Sequence, residues 1–160
     1  MRSWSINNIV DIRNPKSTRP WQHVLEPLSG YLLFGSNLST DKQLHGEAYN
    51  FGPSDNLSYP VSQLIEELAK YWKNVRWSDA SEEKVYVHEA GLLKLNCDKA
   101  LFDLEWSAAL NFEETIEMTA QWYKYYYQND SKSMFDFTIS QINNYTNIAE
   151  SRLIGWAQND

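Results

Sequence analysis

A mixed α/β fold, with helices outnumbering short strands and no complete doubly wound sheet, is what this sequence predicts. Three observations lead there. The chain has 160 residues, 42% of them hydrophobic and 22% charged, the size and balance of one soluble domain with a buried core. Its strand-like runs are short and bounded by turn residues, whereas apolar positions elsewhere recur at helical spacing. It also lacks the sustained alternation of strand and helix, led by a glycine-rich turn, that builds a self-sufficient parallel sheet.

Ile9 to Ile12 reads as a short strand running into Arg13-Asn14-Pro15-Lys16-Ser17-Thr18-Arg19-Pro20, where two prolines forbid regular structure and a binding loop is the natural reading. A helix follows from about Leu25 to Asn37, with Leu28, Tyr31, Leu32 and Gly35 at helical spacing; Pro27 is tolerated in the first turn, where its missing donor has no partner to lose. Ala48 to Phe51 reads as a buried strand ending at Gly52-Pro53. Pro60 opens the clearest helix, whose stripe is Val61, Leu64, Ile65, Leu68, Tyr71 and Trp72.

Val75 to Trp77, Val85 to Val87 and Leu92 to Asn96 are further strand candidates, and Cys97 to Asp103 is a helix capped by Asn96. Asn111-Phe112-Glu113-Glu114 is a capping box for a helix reaching about Gln128. Thr138-Ile139-Ser140-Gln141 reads as a second box, opening a final helix with Ile142, Tyr145 and Ile148.

Charge and absences narrow the function. The net charge is -7 and the isoelectric point about 4.9, with basic residues scattered, so a nucleic-acid backbone partner is disfavoured. One or two placed arginines still suffice for a diphosphate. No apolar run approaches a membrane span. Cys97 is the only cysteine, and Met1 to Ser5 lacks the apolar core of a signal peptide; a reducing, cytoplasmic setting is expected. The six glycines allow no dinucleotide or Walker loop, no lysine follows a tyrosine by four places, and His23, His45 and His88 lack metal-ligand spacing. The residues therefore supply no catalytic group, no cofactor cradle and no metal site.

Four side chains remain as binding candidates. Arg19, between prolines and before Trp21, is either a planar fork for a phosphate or carboxylate or a packing lid over the indole. Asp55 follows an apparent strand through Gly52-Pro53, at the strand end where open α/β sheets seat ligands, or closes an Asx turn. His88 and Glu89 end the strand candidate Val85 to Val87 and either reach ribose or base groups or are solvated. The aromatic cluster Trp122, Tyr123, Tyr125, Tyr126 and Tyr127 is either a helix buried on several sides or a sugar-stacking platform.

The stretch Arg13-Asn14-Pro15-Lys16-Ser17-Thr18-Arg19-Pro20-Trp21-Gln22-His23-Val24-Leu25-Glu26-Pro27-Leu28 strongly resembles the CDP-glucose 4,6-dehydratases of the extended short-chain dehydrogenase/reductase superfamily. Tyr49 to Asp55, His88 to Ala100 and Thr119 to Tyr127 look like that family's later landmarks in the same order, so the resemblance covers roughly residues 9 to 145. It implies a partial fold, the carboxyl-terminal substrate-binding region of the superfamily, with residues 1–146 as that region and 147–160 as a tail of unassigned role. It implies a lyase of deoxysugar biosynthesis, NAD-dependent in the full-length family, that converts CDP-glucose to CDP-4-keto-6-deoxyglucose. This chain, without the glycine-rich loop or the Tyr-x-x-x-Lys pair, is then expected to bind no NAD and to be inactive alone.

By the same resemblance, Arg19 takes the place of an arginine that binds the diphosphate, Asp55 lies in a nucleoside-contacting loop, and His88 and Glu89 fall at nucleotide contacts. The lack of an arginine near Tyr86 fits cytidine as the base. The expected partner is a CDP-sugar, with self-association through the surface that would pack on the absent amino-terminal part. The alternatives are a stand-alone, non-catalytic sugar-nucleotide or carbohydrate-binding module and a remnant that binds nothing small.

Overall fold

The computed structural model describes residues 1–53, 58–81, 93–129 and 133–158. Among them are helices α1 (Arg2–Ser5), α2 (Leu25–Asn37), α3 (Val61–Tyr71), α4 (Asp98–Leu104), α5 (Phe112–Gln128) and α6 (Met134–Ser151), with 3-10 turns at Lys42–Leu44 and Gly155–Ala157. The strands are β1 (Val10–Ile12), β2 (Thr18–Arg19), β3 (Tyr59–Pro60) and β4 (Trp77–Asp79). They form two separate pairs: β1 runs parallel to β4, Val10 opposite Trp77, and β2 antiparallel to β3, Arg19 opposite Tyr59. The fold is helix-rich mixed α/β, with no closed sheet among the described residues.

Helix α3 carries the predicted stripe, burying Ile65 and Leu68. With Trp4 of α1 and Phe112, Ile116 and Ala120 of α5 they make the first core cluster. The Asn111 box is present in full: its Oδ1 accepts from the Glu114 N–H at 2.8 Å, and Glu114 accepts from the Asn111 N–H at 2.9 Å. A second cluster joins Leu44, Phe51, Ala100, Leu104 and Trp106, and a third joins Ala109, Leu110, Met118, Tyr145 and Ala149.

Several local expectations change in context. Ala48 to Phe51 forms no ladder; Phe51 is instead buried by its ring, edge-on to Trp106 at 4.9 Å. The strand expected at Val75 to Trp77 lies at Trp77–Asp79, because pairing with β1 sets its register. Leu93 to Asn96 is irregular, and Val85 to Val87 and Leu92 lie outside the described residues. Helix α4 starts one residue later than expected, and Asn96 serves it by accepting from the Asp98 N–H at 3.2 Å. The final helix does not open at Thr138: α6 is already formed there, and the Thr138 hydroxyl donates to the Met134 carbonyl at 2.7 Å, the bond of a residue inside a helix.

Helix α2 occupies its predicted span, yet the stripe that predicts it does not face the core. Leu28, Tyr31 and Leu32 are exposed, Leu32 at 75%, while the buried side carries Glu26 and Gly30. A Cβ on Gly30 would lie 2.3 Å from the Phe51 ring, so only glycine admits the second cluster this close. Helix α6 runs through residue 147 without a break. Beyond it Trp156 stacks on Tyr145 at 5.5 Å and donates to the Ser107 carbonyl at 3.0 Å, and Arg152 forks onto both Glu114 carboxylate oxygens.

Candidate functional site

The loop before α2 is held by its backbone. Ser62 N–H donates to the Pro15 carbonyl at 2.9 Å and Val61 N–H to the Ser17 carbonyl at 3.1 Å, so the loop satisfies donors that α3 leaves open at its start. The two prolines stiffen the same stretch. On this platform Arg19 sits in β2 opposite Tyr59, its Nη1 donating to the Thr18 carbonyl at 2.8 Å, a bond that orients the guanidinium plane.

Trp21 has an anchor of its own. Its Nε1 donates to the Tyr59 carbonyl at 2.9 Å, and the Tyr59 ring stacks on Phe112 with centroids 3.8 Å apart. Gln22 donates to the Phe51 carbonyl at 3.2 Å. The segment Arg19 to Gln22 thus spans the two described ends, Phe51 to Pro53 and Ser58 to Tyr59, of the chain that carries Asp55. Two buried polar atoms in this region, Ser17 Oγ and Gln22 Oε1, have no hydrogen-bond partner among the described residues. Such atoms are costly unless a water or ligand meets them.

Asp55, His88 and Glu89 lie outside the described residues. What flanks them does meet: Asn50 donates to the Asn96 carbonyl at 3.2 Å, and a Cβ on Gly52 would come within 2.9 Å of Leu95. The structure therefore places Arg19 beside Tyr59.

Nothing in the local sequence marks the most heavily bonded polar group. Glu26, 1% exposed, accepts from the Ala109 N–H at 3.0 Å, the Leu110 N–H at 2.7 Å and the Tyr145 hydroxyl at 2.8 Å. Burial raises its carboxyl pKa, against the pull of those bonds and of Arg152. Ser29 extends the network, accepting from Trp106 Nε1 at 3.0 Å and donating to the Glu26 carbonyl at 2.7 Å. An acidic residue in the first turn of a helix reads as a solvated dipole partner, and the long-range donors that bury it have no sequence signal.

In the aromatic cluster the rings engage one another: Trp122 stacks on Tyr126 at 5.6 Å and Tyr125 on Phe137 at 4.2 Å. No group of metal-binding side chains occurs among the described residues, and no described helix is long and apolar enough to cross a membrane.

These features define a class: a helix-rich mixed α/β chain with an arginine-bearing loop braced against a helix start and no closed sheet among the described residues. No family model matches the chain. It is similar to the CDP-glucose 4,6-dehydratase of Salmonella typhimurium, 39% identical over 125 residues, which are 78% of this chain and 34% of that enzyme. The resemblance read from residues 9 to 145 is thereby supported over most of the chain, which spans about a third of its curated relative.

Proposed function

We propose that this chain is the nucleotide-sugar-holding, carboxyl-terminal part of a CDP-glucose 4,6-dehydratase-like enzyme of the extended short-chain dehydrogenase/reductase superfamily. The observation that carries this reading is the 39% identity to such a dehydratase, and the braced position of Arg19 supports it. A planar guanidinium on a stiff loop offers paired donors to a diphosphate at low entropic cost. In this reading Arg19 grips the diphosphate of a CDP-sugar, and Asp55, His88 and Glu89 contact the nucleoside.

The family's complete enzymes use NAD to take hydride from the sugar and return it after water is lost. The described residues do not fit that group. Their strands form two separate pairs, and none of their glycines lies in a strand-to-helix turn that would bring backbone N–H groups to a pyrophosphate. No redox or dehydration step is assigned to them; the chain holds substrate and is inactive alone. The exposed stripe Leu28, Tyr31 and Leu32 is the surface through which isolated chains associate.

Calorimetric titration with CDP-glucose tests the reading. Native chain binds, and Arg19→Ala weakens binding by roughly 1.5 to 3 kcal/mol, the scale of a charge-assisted hydrogen bond, while cytidine, which lacks phosphates, is unaffected. Equal affinity of native and Arg19→Ala chains for CDP-glucose removes the assignment of Arg19. Turnover of CDP-glucose by this chain with added NAD contradicts its inactivity.

A further inference from the structure

A concavity that Arg19 does not line lies between the start of α2 and the facing sides of α5 and α6. Its volume is about 450 Å³, within the range of small-molecule sites. His23, Thr119, Trp122, Tyr123, Gln141 and Ile142 line it, and no Lys, Arg, Asp or Glu is among its lining residues.

The polar groups here are largely committed. Gln141 donates to the Met118 carbonyl at 2.8 Å, Thr119 to the Thr115 carbonyl at 2.7 Å, and Thr138 to Met134 while accepting from Trp122 Nε1 at 3.0 Å. That last bond and the stack on Tyr126 hold the indole in place.

Two groups are exceptions: Gln22 Oε1, which has no partner among the described residues, and His23. His23 is 6% exposed, and its Nδ1 accepts from the Leu25 N–H at 3.3 Å, which puts the proton of the neutral ring on Nε2. No hydrogen bond to Nε2 is formed among the described residues. Burial holds the ring's pKa down to about 4, so the imidazole is uncharged at neutral pH.

We propose that this cleft binds an uncharged planar ring carrying a hydrogen-bond acceptor, such as an aromatic amide, with the ring against Trp122 and Tyr123 and the acceptor on His23 Nε2. An uncharged ligand follows from a wall with no countercharge, because an ion would lose its hydration without compensation. Planarity follows from the aromatic side, where a flat ring gains most contact. The site is independent of the Arg19 reading.

Benzamide is the probe, with benzoate and cyclohexanecarboxamide as charged and non-planar controls, followed by the His23 ring resonances and by titration. Benzamide gives saturable binding that shifts those resonances, and both controls bind more weakly. His23→Phe keeps the ring volume without the N–H and weakens binding roughly tenfold, one neutral hydrogen bond. Ile142→Trp fills the mouth and abolishes binding, and Arg19→Ala leaves it unchanged. Should His23→Phe fail to fold, Trp122→Leu takes its place and removes the preference for benzamide over cyclohexanecarboxamide.

Three results overturn the proposal. One is the absence of saturable binding by folded native chain. Another is unchanged benzamide binding in a folded variant among His23→Phe, Trp122→Leu and Ile142→Trp. The third is a dimer in sedimentation that Ile142→Trp dissociates, which makes the cleft a seat for a second copy.

Discussion

Tyr145 on α6 donates its hydroxyl to the Glu26 carboxylate on α2 across 2.8 Å, a contact between residues 119 positions apart in the chain. The same carboxylate receives the Ala109 and Leu110 N–H groups, so one side chain ties α2, the approach to α5 and α6 together. The Tyr145 hydroxyl also lies 3.1 Å from Ser29 Oγ. It can donate to an ionised Glu26 or turn to Ser29 and accept from a protonated one, so the network accommodates both states.

Replacing Glu26 by leucine leaves the Ala109 and Leu110 donors buried without an acceptor. The expected loss is roughly 2 to 6 kcal/mol, at about 1 to 3 kcal/mol for each stranded group. Glu26→Gln keeps one carbonyl oxygen for those donors and loses less. Urea unfolding of both variants measures the difference; equal losses would show that the hydrogen bonds are not what Glu26 contributes.

Two buried titratable groups, Glu26 and His23, drive stability in opposite directions with pH. The folded state raises the Glu26 carboxyl, so its contribution is full below the unfolded value and is lost as pH rises through the folded one. His23 is held down to about 4 from 6.5, so the unfolded chain binds more protons in that window and the contribution is lost as pH falls through it. The histidine effect is worth roughly 3 kcal/mol. Unfolding free energies from pH 4 to 7 should flatten in His23→Gln and steepen upward in Glu26→Gln.

Gly30 and Gly35 share one helix and predict opposite outcomes. Alanine at position 30 drives a Cβ into Phe51, costing about 1 to 3 kcal/mol for overpacking and disturbing the Phe51–Trp106 contact. Alanine at position 35 meets nothing within 4 Å and stabilises the helix by roughly 0.5 to 1 kcal/mol. Thermal melts of the two variants should move in opposite directions.

Trp156→Ala removes the stack on Tyr145 and the bond to Ser107. A loss of about 2 kcal/mol is expected, below the range for a fully buried tryptophan because this one is half-buried. Chemical denaturation reads it directly, and an unchanged midpoint would show that the Trp156 contacts do not contribute to stability.

If the exposed stripe of α2 drives association, Leu32→Glu shifts sedimenting native chain toward monomer while leaving its circular dichroism unchanged. Native protein that is already monomeric at high concentration rules the stripe out as a contact.

Elements whose information is local were readable in advance. The Asn111–Glu114 box and the α3 stripe need only a few consecutive residues, and both occur as written. The proline-bounded stretch with Arg19 was legible only in part: its prolines do not forbid regular structure, because Thr18–Arg19 pairs as β2 with Tyr59–Pro60, a partner nearly 40 positions away. The opening of α6 was not, because a Thr-x-x-Gln pattern serves a helix start and a helix interior alike, and the Thr138 hydroxyl turned back on Met134 decides between them.

By itself, then, the sequence determined the spans of α2, α3 and α5, the mixed class and the likeness to a nucleotide-sugar dehydratase, since periodicity, caps and motif order are written along the chain. Only tertiary structure decided that α2 turns Glu26 and Gly30 inward and Leu28 and Leu32 outward, and that Trp156 and Arg152 close the third cluster. A helix of apolar and small residues can bury either face. Which one it buries depends on donors and rings brought from 80 to 120 positions away, and no local pattern records their arrival.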